Sequence, residues 1–364
     1  MNAYRSELQA VGLIVGIALV AAFFAVIASA DTGPSLAVPP TAVPTVVALR
    51  PTAVPSVVPG PLNGLPTARR IAARRPLAVV LDNFYPDARP QSGIGKASVI
   101  FDALTEGGIT RLMALFLEHD APRIGPIRSA RTYFVSWAGG FRALLVHAGG
   151  APAALQLLHR TASVADVDAL KQRAGFTRAP DRTTPHDLYG SATTARALAR
   201  QAGGPIASVS PDFVFKRAAP LRSRGRVGSI QVTFSTPQVA SPAAYAVAYR
   251  YVRQRNVYLR SQGGIPFVDR ASGGQIAAKN VVVLFTRVAL IPNDPVGRVS
   301  VTAVGSGNAT LFQNGQVVKG NWSKTSTNGP LVLTTTNGSP MSLVPGQTWI
   351  EVVPPGDLTS AVGS

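Results

Sequence analysis

The chain has 364 residues, with 35 Lys and Arg against 17 Asp and Glu, a formal net charge of +18 and no cysteine. The missing thiols exclude disulfides, thiolate catalysis, zinc–thiolate clusters and lipidation through a cysteine, so packing alone must hold the fold. Setting aside the amino-terminal segments, roughly 300 residues remain, enough for one large domain or two ordinary ones.

The positive charge is clustered. Between Asp82 and Arg131 acids and bases balance, whereas the excess lies in Arg69 to Arg75, Lys216 to Arg226 and Arg250 to Arg260. Such clusters suit anionic lipid or an anionic wall polymer, although an arginine-biased composition accounts for much of them. No recognition helix, zinc finger or aromatic RNA-binding signature accompanies them, which argues against nucleic acid as a partner.

Residues 1–7 read as a cytoplasmic stub containing Arg5. From Leu8 to Ala30 there is no charged residue, and the run is long enough at helical rise to cross a bilayer. No basic residue follows it until Arg50, so the positive-inside bias places the remainder of the chain outside the cytoplasm. An uncleaved transmembrane anchor in the cytoplasmic membrane is the preferred reading of 8–30. Ala28-Ser29-Ala30 is the alternative, a signal-peptidase site that would release a secreted protein after Ala30. Residues 31–61 hold eight prolines and no periodic pattern, and read as a linker. As polyproline II it reaches up to roughly 90 Å at about 3.1 Å per residue, and as a disordered spacer it has no fixed reach.

Residues 62–225 mix short apolar runs with helical stretches, and 226–354 carry mostly strand signals. The expected fold is therefore an α/β or α+β amino-terminal domain with a mostly β carboxyl-terminal domain, preceded by one transmembrane helix; 355–364 read as a disordered tail. Strands are expected at Leu77 to Leu81, Ser98 to Leu104, Leu112 to Leu117 and Ala143 to Val146, with a helix as the alternative for Ser98 to Leu104. Pro126 is expected to open a helix through Phe134, which would set Arg128 and Arg131 three residues apart on one face. Further helices are expected at Pro152 to His159 and Ala192 to Ala202. Beyond residue 225 the strand signals include Val257 to Arg260, Asn280 to Leu290, Ala309 to Gln313 and Thr348 to Val353, with hairpin turns at Asn314-Gly315 and Asn337-Gly338.

Residues suited to chemistry concentrate between Leu77 and Arg131. One apolar run delivers Asp82 and Asn83, another leads to Glu106, Thr110 and Arg111, and Arg89, Gln91, Ser92, Arg128, Ser129 and Arg131 punctuate the turns. Arg89, Arg111, Arg128 and Arg131 can converge on an anion, because guanidinium forks bind phosphate or carboxylate bidentately. Asp82 and Glu106 supply oxygen ligands of the kind that suit Mg2+ or Ca2+. The same acids and arginines can equally pair with one another, and the charge balance of the stretch fits that pairing. His147, at a strand end, and His186, before Asp187, suit catalysis, metal binding or a buried hydrogen bond, the last being the expectation for either alone. Ser92 and Ser129 are candidate nucleophiles without a G-x-S-x-G elbow, and the H-E-x-x-H, P-loop and dinucleotide patterns are absent. Trp322 and Trp349 can line a groove, but core packing is their commoner use.

The ordered segments LAVVLDN, ARPQSGI, EGGITR, IGPIRSAR, HAGGAP and PHDLY resemble the amino-terminal domain of the YerB-like family of bacterial envelope proteins. NVVVLF, VGSGNATLFQNG, GNWSK and PGQTWIEVVPP resemble its carboxyl-terminal domain, so the resemblance covers residues 62 to 354. It implies an exported two-domain protein, often a lipoprotein, whose biochemical function is not established. The chain departs from the family pattern in lacking the lipoprotein cysteine, in Asp187 where asparagine is usual and in Ala151 where serine is common. A short amino terminus, one span and an exported domain with Asp and Arg clusters also look like the LytR-CpsA-Psr wall-polymer ligases, an architectural analogy.

Two functions are thus expected. The first is a membrane-anchored envelope protein that binds a wall polymer or an envelope protein. The second is an enzyme acting on an anionic or pyrophosphate-linked envelope substrate, with an arginine clamp and an Asp-held divalent cation.

Overall fold

The computed structural model describes residues 56–172, 174–201, 213–236 and 238–355, together with the backbone of the strand Leu358–Ala361. The expected span or signal at 8–30 and most of the linker lie outside the described residues. Among the described residues no helix is long and apolar enough to cross a membrane.

The described chain is mostly β with few helices. Its centre is a ten-stranded sheet built from Leu77–Leu81 (β1), Val99–Leu104 (β2), Thr110–Phe116 (β3), Leu144–His147 (β4), Ala165–Asp168 (β5), Asn280–Phe285 (β9), Gly305–Gln313 (β10), Gln316–Lys324 (β11), Val332–Thr335 (β12) and Thr348–Val353 (β13). Ser229–Val232 (β6), Val247–Val252 (β7) and Val257–Gln262 (β8) belong to a second sheet. The order across the large sheet is β12-β11-β10-β9-β13-β2-β3-β1-β4-β5. β9, β13 and β2 run parallel to one another, as do β1, β4 and β5, while β3 is antiparallel to both β2 and β1. β1, β2, β3 and β13 are buried along their whole length, which explains their unbroken apolar runs: a strand covered on both faces has no polar side to alternate with.

β13 pairs with β2 on one side and β9 on the other, so a strand from the carboxyl-terminal region closes the sheet begun by the amino-terminal region. Alternate side chains of β2 then face different layers. Phe101 stacks on Trp137 of the helix Thr132–Gly140 (α1), with ring centroids 4.7 Å apart. Asp102 turns the other way, toward the second sheet of Ser229–Val232 (β6), Val247–Val252 (β7) and Val257–Gln262 (β8), which run antiparallel. At the end of α1, Gly139 and Gly140 admit the neighbouring chain: a Cβ there would lie 2.5 and 2.7 Å from the carbonyl oxygens of Thr327 and Gly329.

Three expected elements change. Leu358–Ala361 of the expected tail is a strand antiparallel to β6, whose backbone supplies its hydrogen-bond partners. The run Asn280 to Leu290 is two strands, Asn280–Phe285 and Val288–Leu290. The helix expected to open at Pro126 begins only at Thr132, with Arg131 as its extended N-cap. Residues 126–130 instead thread between strand ends. Asp82 N donates to the Pro126 carbonyl (2.9 Å), Arg128 N to Val80 (2.9 Å) and Ala130 N to Gly149 (3.0 Å). These backbone partners satisfy the segment as extended chain, outweighing the preference of proline for a first helical turn. Arg128 and Arg131 consequently leave an extended segment on opposite sides rather than sharing a helical face.

Candidate functional site

The carboxyl ends of β1, β2, β4 and β5 and the amino end of antiparallel β3 all lie at one edge of the sheet. Chain order therefore collects there Asp82 after β1, Glu106 after β2, Thr110 and Arg111 opening β3, and His147 and Asp168 ending β4 and β5. This is the edge at which open sheets with parallel strands generally bind ligands.

Asp82 is the pivot. Its side chain is 1 % exposed, and its Oδ2 accepts a hydrogen bond from His186 Nδ1 at 2.8 Å while facing Arg128 Nε at 3.1 Å. Its Oδ1 accepts from the Phe84 backbone N–H at 3.1 Å. Burial pushes this carboxyl up, but the His186 hydrogen bond and the charges of Arg111 and Arg128 outweigh burial and hold it below the usual range. An ionised carboxylate only accepts, so His186 carries its proton on Nδ1 and turns Nε2 away from Asp82. The Phe84 ring stacks on the imidazole, centroids 4.8 Å apart. The His186 and Arg128 side chains keep 13 % and 27 % of their surface exposed.

Glu106 forms the neighbouring centre. Arg131 grips it with two groups, Nε to Oε2 at 3.1 Å and Nη2 to both oxygens at 2.5 Å, and Arg111 Nη2 adds a contact to Oε1 at 3.2 Å. Burial raises the Glu106 carboxyl, yet the two guanidiniums bring it down to about 2. Arg111 and Arg131 also both donate to the Ser129 carbonyl. The four expected arginines are thus divided: two on Glu106, one on Asp82, and Arg89 elsewhere. Asp82 and Glu106 are each faced by guanidinium groups, and among the described residues no three His, Cys, Asp or Glu side chains converge.

The remaining predicted residues do not join the Asp82 and Glu106 ion pairs. Asn83 leaves β1 on the side opposite Asp82, and its Nδ2 donates to Thr110 Oγ1 (2.8 Å) and Gln262 Oε1 (3.1 Å), seating the second sheet. Gln91 Nε2 donates to the Asp82 carbonyl (2.8 Å) and to Asn83 Oδ1 (2.9 Å). Ser92 is buried and pairs through its backbone with Gly125. His147 is fully buried: Nδ1 lies 2.7 Å from the Gly149 carbonyl and Nε2 2.8 Å from Asp166 Oδ1. Both partners accept only, so both ring nitrogens donate and the ring is the imidazolium. Burial lowers its pKa, but the Asp166 hydrogen bond and charge, together with the Gly149 bond, raise it above the usual histidine value. Asp187, adjacent to His186 in sequence, pairs instead with Arg178 and Thr184.

Sequence reasoning missed a buried ionic seam between the sheets. Arg260 of β8 donates through Nη2 to Asp102 Oδ2 at 2.6 Å and faces Glu351 Oε1 at 3.7 Å, with all three side chains fully buried. Its guanidinium lies between the rings of Trp349 (4.2 Å) and Phe267 (4.3 Å). Asp102 and Glu351 are paired in register on β2 and β13, and Tyr249 donates its hydroxyl to Glu351. Two carboxyls beside one guanidinium, out of water, do not both ionise readily. Burial, helped by Asp102 and opposed by Arg260, pushes Glu351 up to about 8. The available signal was a lone acid inside each apolar run, VIFDAL and TWIEVV.

Comparison with known proteins matches two family models to the chain. Residues 62–205 match the family described as "Protein of unknown function (DUF3048) N-terminal domain", and residues 237–350 match its "C-terminal domain". The chain is 33 % identical over 305 residues to "Putative lipoprotein YerB" of Bacillus subtilis (strain 168), covering 82 % of this chain and 87 % of that protein. The crystal structure of the YerB protein from Bacillus subtilis superposes with a TM-score of 0.74 at 32 % identity, covering 84 % of this chain and 99 % of that one. These matches do not show the likeness to LytR-CpsA-Psr ligases.

Proposed function

Because the chain belongs to the YerB-like family of proteins of unknown function (DUF3048), we propose that it is an extracytoplasmic envelope protein that binds an anionic envelope component at the Asp82 edge. The name of the Bacillus relative, a lipoprotein, supports attachment at the membrane. With no cysteine to lipidate, this chain would use the apolar segment 8–30 as its anchor.

The observation that carries the binding reading is the local charge. Three guanidiniums, Arg111, Arg128 and Arg131, meet two carboxylates, Asp82 and Glu106, which leaves the edge one positive charge in excess, and Arg128 is the most exposed of the three arginines. Arg128 and His186, with 27 % and 13 % of their side-chain surface exposed, give a ligand access to the Asp82 end of the edge. The full chain in nanodiscs of zwitterionic lipid, titrated with a soluble short-chain polyprenyl pyrophosphate analogue, should show saturable heat that weakens with salt. Arg128→Gln should weaken it at least tenfold. Equal binding by this variant, with unchanged melting, overturns the reading.

One observation favours the enzyme as a second reading. A carboxylate that fixes Nδ1–H of a histidine and leaves Nε2 outward is the arrangement of a general base. In this form the proton acceptor is His186, acting on water or a substrate hydroxyl, rather than a group activated by an Asp-held cation. Turnover of the same pyrophosphate analogue that falls at least 100-fold in His186→Asn would support it, because general-base catalysis typically contributes about 10²–10⁴-fold. Absence of turnover in the wild type would remove it.

A further inference from the structure

A cleft of about 1230 Å³ opens over β10 and β11 and shares no lining residue with the Asp82 edge. Strand register fixes its floor. Asn308 lies opposite Asn321 and Thr310 opposite Lys319; residues two apart on a strand, like direct cross-strand partners, share one face of a sheet. The intervening Ala309, Leu311 and Trp322 turn inward and are buried. Asn308, Lys319 and Asn321 are exposed, as is Val317 one step further along the same face. The walls come from Phe285, from Arg287 beside the hairpin of Val288–Leu290 and Val299–Val301, and from Pro354 and Pro355, which follow β13.

Among the described residues the side chains of Asn308, Asn321, Lys319 and Arg287 have no hydrogen-bond or ion-pair partner. Arg287 and Lys319 are both exposed, and no aspartate or glutamate lines the cleft among the described residues, so its field favours anions. Arg89 also lacks a carboxylate, but its Nε and Nη1 are taken up by the Asn83 oxygens and the Ala244 carbonyl. The floor offers a ligand side chains only, because β10 pairs with β9 and β11, and β11 with β10 and β12. An extended peptide therefore finds no free strand edge to join there. What the floor presents is a grid of amides, a hydroxyl and an ammonium, about 5 Å apart across the strands and about 7 Å apart along them. An amide both donates and accepts, which suits the hydroxyls of a sugar, while Phe285 and Val317 offer apolar surface to its ring faces. The volume exceeds the roughly 300–1,000 Å³ of common small-molecule pockets, in keeping with several linked units rather than one.

We infer that this cleft binds an acidic polysaccharide, with Asn308 and Asn321 on its hydroxyl or acetamido groups and Lys319 and Arg287 on its carboxylates. The inference does not rest on the ligand proposed for Arg128. Titration calorimetry of the full chain in nanodiscs of zwitterionic lipid tests it with three probes: a hyaluronan hexasaccharide, the neutral chitohexaose, and a capped glutamate peptide matched in charge to the hyaluronan fragment. The carboxylated glycan should bind saturably, chitohexaose at least fivefold more weakly and the peptide at least tenfold more weakly. Asn308→Ala combined with Asn321→Ala should weaken the hyaluronan fragment at least fivefold. Lys319→Gln should weaken it at least threefold and narrow its advantage over chitohexaose. All three positions are exposed, so these variants should melt with the wild type. Arg128→Gln should leave glycan binding unchanged, which separates failure here from failure at the Asp82 edge; loss of glycan binding in that variant would place the sugar at the edge instead and overturn the proposal. No saturable binding up to millimolar glycan, peptide binding as tight as that of the glycan, equal binding of the two glycans, or full binding by the double asparagine variant would also overturn it.

Discussion

Glu351→Gln should flatten part of the pH dependence of stability. Glu351 is fully buried beside Asp102 and Arg260, and its carboxyl is raised from the ordinary 4.5 to about 8, burial being the largest cause. A carboxyl that binds its proton more tightly when folded makes the folded state hold more protons than the unfolded one between those two values. Stability from this group is therefore fully present below about pH 4.5, declines as pH rises, and is exhausted above about pH 8. At about 1.36 kcal/mol per pH unit, the gap corresponds to about 5 kcal/mol at most. Glutamine keeps the acceptor for the Tyr249 hydroxyl and cannot ionise. The variant should match wild type to within about 1 kcal/mol near pH 4.5 and exceed it by several kcal/mol at pH 9. Guanidinium chloride unfolding of both proteins at pH 5, 7 and 9 reads the Glu351–Asp102 pair, because the two carboxyls share one buried guanidinium while groups remote from them are common to both proteins. Parallel pH profiles, or a variant less stable than wild type at pH 9, would refute the account of the seam.

His147 should titrate in the folded protein with a midpoint above the ordinary histidine value, and Asp166→Asn should move that midpoint down, as read from the ring proton resonances by NMR. Its contribution to stability is present below the unfolded value near 6.5 and is lost as pH rises through the folded one; a midpoint below 6.5 in wild type contradicts the imidazolium assignment. Glu106→Gln leaves Arg111 and Arg131 beside each other without their carboxylate and should cost about 3 kcal/mol in chemical unfolding at pH 7. A loss under about 1 kcal/mol would mean that Glu106 does not neutralise the pair. The Glu106 carboxyl is depressed, so its stabilisation should disappear as pH falls from about 4.5 toward about 2.

Much of the large sheet was legible. Runs such as LAVVL and TWIEVV announce strands covered on both faces, because only such strands can be apolar without alternation. Asn314-Gly315 announces its hairpin because both residues must take positive φ, here 54° and 66°, which asparagine and glycine tolerate best. The concentration of site residues between Leu77 and Arg131 was legible for the same reason: polar groups that directly follow buried strands gather at one sheet edge.

What the sequence determined by itself was local: apolar runs, turn chemistry and the clustering of acids and arginines between Asp82 and Arg131, each set by residues a few positions apart. Tertiary structure alone decided the partners. Asp82 meets His186 across 104 positions rather than Asp187 meeting its neighbour, and Arg128 and Arg131 part because Val80 and Gly149 supply hydrogen bonds that keep their segment extended. β13 enters between β2 and β9, and only that pairing sets Glu351 beside Asp102. A charge in a strand declares that it needs a partner, but its local sequence carries no record of which distant strand will bring one.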